Sequence, residues 1–88
     1  MTEAARYDPA ADDDTRLETA IARRNLTWAD FEAAAQMLRA AERAGRGEET
    51  LQPLRRNYNN ALDCWEWAIR ELVRERRRVQ LARMAEAS

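Results

Sequence analysis

Eighty-eight residues leave room for one small domain, whose core stays thin unless its helices are very regular or several copies associate. A net charge of -1 provides no global field to draw in nucleic acid or an anionic membrane. All fifteen basic residues are Arg and there is no His, which removes the imidazole base, the His-ligated zinc site, the Schiff-base lysine and the P-loop lysine.

The chain opens with residues 1–11, which show no apolar periodicity and contain Asp8-Pro9; a flexible N-terminal tail is expected there. This stretch lacks the basic-then-apolar layout of a secretory signal, and no apolar run reaches the ~18 residues of a membrane span. The expected setting is cytoplasmic, without membrane association. Residues 12–88 then read as a single helical domain.

Asp12, Asp13, Asp14 and Thr15 offer capping oxygens and first-turn negative charge for a helix over about 13–44. Its apolar positions Leu17, Ile21, Trp28, Phe31, Ala35 and Leu38 keep one heptad phase, interrupted by Arg24 and Glu42. A local signal competes near Asn25–Thr27. There Thr27 could cap a new helix, with Asp30 reaching back and Leu26 stapling onto Phe31, so that the helix would be kinked or split. The unbroken apolar phase and the absence of Gly or Pro favour a continuous or gently kinked helix.

Ala44-Gly45-Arg46-Gly47 is the clearest break, because Gly tolerates the left-handed conformation that ends a helix. The turn is expected over 45–48 and a second helix over about 49–86. Glu48 and Glu49 supply first-turn acids, Thr50 a cap, and Pro53 fits only if it lies in the first turn. In this helix Leu51, Leu54, Tyr58, Ala61, Trp65, Ala68, Leu72 and Val79 alternate at spacings of three and four, which puts them on one side. Leu62 and Ile69 widen that stripe beyond a two-helix seam.

Two rods of similar length joined by a short Gly turn should fold back as an antiparallel hairpin. Counting outward from the turn sets Leu38 near Leu54, Phe31 near Leu62, Trp28 near Trp65 and Ile21 near Leu72. The same register brings Asp12–Asp14 beside Val79–Arg83 and so joins the acidic and basic clusters at one end. The expected fold is an all-α helical hairpin with coiled-coil-like packing. It completes a bundle by pairing with itself, as a homodimer, or with another helical protein.

Trp67 lies about 200° round the helix from Trp65 and, with Cys64 and Leu81, could form a second apolar strip serving as an interface. The alternative site is basic: Arg70, Arg74, Arg77 and Arg78 could neutralise phosphates. Glu66, Glu71 and Glu75 stand at spacings that would pair with Arg70, Arg74 and Arg78 and leave a solvated face instead. Leu26–Phe31 looks superficially like the start of a regulatory helix-turn-helix, but no short second helix follows. No catalytic constellation, cofactor site or metal site is expected, since the carboxylate-bundle pattern requires a His that the chain lacks. These features lead to the expectation of a small non-catalytic interaction module, an assembly, adaptor or regulatory component, with a nucleic-acid-binding hairpin as the runner-up.

Overall fold

The computed structural model describes the backbone of residues 9–87 and the side chains of residues 14–87. Two helices account for nearly all of it: α1, Pro9–Arg43, and α2, Glu48–Ala87. They pack on each other as an antiparallel hairpin. Of the tail expected over 1–11, only residues 9–11 fall within the described backbone, and they are helical. Pro9 suits a first helical position, where its fixed φ costs nothing and its missing N–H would have no partner.

α1 runs without a break through Asn25–Thr27. The Thr27 hydroxyl explains why no new helix begins there: it donates to the Arg23 carbonyl at 2.8 Å and contacts the Arg24 carbonyl at 3.1 Å. A hydroxyl bonded back into its own helix is not capping another. Thr19 does the same to the Thr15 carbonyl at 2.8 Å.

Gly45 has φ +67°. Around it the Gly45 N–H donates to the Glu42 carbonyl and the Arg46 N–H to the Ala41 carbonyl, both at 3.1 Å. This double closure satisfies two of the orphan carbonyls at the end of α1. The chain re-enters a helix at once, for the Gly47 carbonyl accepts from Thr50 and Leu51 at 3.0 Å. Thr50 is therefore inside the first turn of α2 and does not cap it. With α2 beginning at Glu48, Pro53 lies past the first turn in the helix interior, where a proline ring crowds the Glu49 carbonyl and removes one ladder bond.

Between the helices, an aromatic cluster sets the register. The Trp28 and Trp65 ring centres lie 5.0 Å apart, and Phe31 stacks on Trp65 at 5.8 Å with a 6° interplanar angle. Tyr58 closes the cluster on the turn side, 5.1 Å from Phe31. Stepping away from the turn, Arg23 meets Glu71 at 2.8 Å and Arg16 meets Glu75 at 3.5 Å. On this register bulky positions stand about level with small ones: Tyr58 with Ala34, Trp65 with Thr27, Leu72 with Ala20. Alternating large and small residues let the two backbones approach closely.

The inward face of α1 is centred one position away from where the large apolar residues place it. Ala20 and Ala35 are buried, and Thr27, Ala34 and Ala41 are half-buried, while Trp28 keeps 42% of its surface exposed. On α2 the inward face is Leu51, Ala68, Leu72, Glu75 and Val79. Glu75 is 6% exposed at the heptad position between Leu72 and Val79. Glu71 and Glu75 thus turn toward α1, not only toward neighbours on their own helix. No large side chain among those described is fully buried. Two helices have a seam here, not a closed core.

Candidate interaction surfaces

Because the packed seam uses one side of each helix, the hairpin presents two long flanks, one on either side of the seam. Ile21, Trp28 and Ala35 of α1 reach the first flank together with Leu62, Trp65 and Ile69 of α2. Ile21, Trp28 and Ala35 each come one residue after the seam positions Ala20, Thr27 and Ala34, and Leu62 and Ile69 one after Ala61 and Ala68, which turns them to the same side, while Trp65 spans the seam and this flank. All six except Trp28 are half-buried or buried by the hairpin itself. Shallow hollows run along the flank, one between Arg24, Asn25, Trp28 and Trp65, another beside Trp28, Phe31 and Ala35. At the open end of the hairpin the flank continues as a groove of Leu17, Val79 and Met84, edged by Arg76 and Arg83. Arg24 is the charged interruption between Ile21 and Trp28. Its guanidinium turns aside to donate to the Asn25 Oδ1 at 3.1 and 3.3 Å, which leaves its stem on the apolar strip.

The second flank holds the interface residues expected from the sequence. Cys64 and Trp67 do come together there, around a hollow completed by Arg23, Thr27 and Asp63. Cys64 is a free, exposed thiol and Trp67 is 55% exposed. Leu81, equally exposed, lies about four turns further along α2 and takes no part in that hollow. Trp67 is not bare: the Arg23 guanidinium stands 5.9 Å from its ring centre while bonding Glu71 at 2.8 Å. Charge therefore crosses this flank at the level of its main aromatic residue. Leu26, by its spacing a candidate helix staple, is exposed on the same flank.

The arginines divide. Arg70, Arg74 and Arg77 are exposed along the outer side of α2, with Arg70 3.9 Å from Glu66. Arg78 departs from them: it is half-buried and lies 3.9 Å from Glu75. Glu71 bonds Arg23 across the seam, in place of the expected pairing with Arg74. Buried carboxylate oxygens at Glu71 Oε2 and Glu75 Oε2 accept no hydrogen bond. Asp12 and Asp13 of the expected acidic cluster lie outside the described side chains and Asp14 is exposed, while the ion pair seen near this end, Arg16 with Glu75, has the opposite polarity to the expected one.

The first flank was partly legible beforehand, in Leu62 and Ile69 as widening residues. Its continuity with Ile21 and Trp28 was not, because it depends on which side of the seam the small residues Ala20, Ala34 and Ala41 occupy. Among the described residues no helix is long and apolar enough to cross a membrane. Comparison of the chain with family models, with curated proteins and with solved structures gives no match.

Proposed function

We propose that this chain is a small non-catalytic interaction module, an assembly, adaptor or regulatory component that acts by burying one helical flank against another helical surface. The observation that carries the reading is the first flank: a strip from Leu17 through Trp28, Trp65 and Ile69, beside a seam in which no large side chain among the described residues is fully buried. A helix whose apolar arc exceeds a two-helix seam is the form found in bundles, where a third and fourth helix cover the remainder.

The test compares the wild type with Trp28→Glu and Trp67→Glu by light scattering and by capture from a cell extract. The reading expects an associated state, as a doubled mass or as a captured helical protein, that Trp28→Glu abolishes and Trp67→Glu leaves largely intact. A wild type that stays monomeric and captures nothing that Trp28→Glu does not also capture would refute it.

A second reading draws support from the exposed strip of Arg70, Arg74 and Arg77. It expects retention of the protein on duplex DNA or structured RNA at low salt, with affinity falling steeply as salt rises. No retention at low ionic strength would remove it.

A further inference from the structure

The first flank has edges of opposite charge. Along α1 its outward edge presents Asp14, Glu18, Glu32 and Glu42 against Arg39, all exposed, with Arg24 half-buried on the strip itself. Along α2 the matching edge presents Arg55, Arg76 and Arg83 against Glu66, again all exposed. Glu66 already lies 3.9 Å from Arg70, and Arg55 bonds Glu48 at 2.9 Å, so the sign of the α2 edge is set mainly by Arg76 and Arg83. One helix thus offers an acidic border and the other a basic border to whatever lies on the strip between them.

A second copy of the chain fits those borders in only one of the two face-to-face arrangements. A two-fold axis running across the helices would lay α1 on α1 and α2 on α2, acid on acid and base on base. An axis running along the helices lays α1 on the second copy's α2, antiparallel and at the same height. Glu18 of each copy then comes level with Arg76 of the other, Ile21 with Ile69, and Trp28 with Leu62 and Trp65. Every contact occurs twice, as an isologous interface requires. The strip is about 30 Å long and about 20 Å wide, taking a rise of ~1.5 Å per residue and helices ~10 Å across. That is roughly 600 Å² per copy, at the lower end of the ~1,200 Å² total that stable interfaces bury.

We propose that the Trp28 flank is a homodimer interface, with α1 of each copy laid antiparallel on α2 of the other to form a four-helix bundle whose orientation is selected by the acidic and basic borders. This rests on the interaction-module reading and adds to it the identity and pose of the partner. All nearest-neighbour helices in the resulting bundle are antiparallel, as in up-and-down bundles.

The experiment is sedimentation equilibrium on the full chain, with circular dichroism to confirm unchanged helicity, for the wild type, Glu18→Arg, Arg76→Glu and an equimolar mixture of the two variants. Both substitutions are at exposed positions outside the seam. Wild type is expected to dimerise at micromolar concentration, and each variant alone to weaken dimerisation by about tenfold, because reversal places like charges together at two symmetric contacts. The mixture is expected to recover near wild-type affinity as a heterodimer, since the two reversed residues then face each other with opposite signs, as do the two unreversed ones. A dimer indifferent to both reversals, or a mixture no tighter than its components, overturns the proposed pose. A wild type monomeric up to about 100 μM overturns the second copy as occupant, while leaving the interaction-module reading to be judged by its own capture experiment.

Discussion

Glu75 is the residue at which this sequence departs most from its own pattern. It occupies the inward heptad position between Leu72 and Val79 and is 6% exposed, held by Arg16 at 3.5 Å and Arg78 at 3.9 Å. An ion pair in that position gives back less than it loses in desolvation, and an apolar side chain of similar size commonly does better. Glu75→Leu is therefore expected to raise the stability of the fold by about 1 to 3 kcal/mol. Urea unfolding followed by circular dichroism would register this as a higher midpoint at unchanged slope; a loss of stability would show that the carboxylate organises the open end of the hairpin. Arg23 behaves in the opposite way. It bonds Glu71 and covers the Trp67 ring, and Arg23→Ala would strand a carboxylate that is largely out of solvent. A loss of about 1 to 2 kcal/mol is expected, and in a Glu71→Ala background most of it should vanish.

The two breakers have separate consequences for the elements. Gly45 holds a left-handed backbone with open space around it, so a methyl group there meets no atom and still strains the chain. Gly45→Ala is expected to cost about 1 to 2 kcal/mol, whereas at Gly47, which lacks a positive φ, the same change should cost less. Pro53 sits within α2 because the turn is so short that the helix begins at Glu48. Pro53→Ala should therefore stabilise, by about 1 to 3 kcal/mol, restoring a ladder bond to the Glu49 carbonyl. Thermal unfolding of these three variants gives the order directly.

Helix type, the turn and the pairing of Trp28 with Trp65 follow from periodicity and from Gly45, since both are local signals that need no knowledge of the partner helix. The side of α1 that faces inward was harder to read. Ala20, Thr27, Ala34 and Ala41 carry little hydrophobic signal, yet their small size is what allows close approach, and they move the seam away from Ile21 and Trp28. For the same reason the interface expected at Trp67, Cys64 and Leu81 is only partly assembled. Cys64 and Trp67 share a hollow, Arg23 partly screens it, and Leu81 stands apart.

At the scale of the whole molecule, the hairpin combines long helices with a narrow interior. Among the described residues six apolar side chains form the buried core, half of them alanines, so the apolar area they withdraw from water is small. The strip around Trp28 lies next to that interior and is continuous with it, and covering it would turn a seam into a bundle core. Val73, 59% exposed at the edge of this strip, offers a probe outside the buried seam positions. Val73→Glu is expected to weaken association about tenfold while leaving the helicity of the isolated hairpin unchanged, as followed by sedimentation and circular dichroism. If stability is shared between copies, it must also depend on how many copies are present. Thermal unfolding of the wild type and of Trp28→Glu across a hundredfold range of protein concentration measures this most directly. The midpoint should climb with concentration for the wild type and stay low and flat for the variant; a wild-type midpoint that is high and independent of concentration would contradict the account.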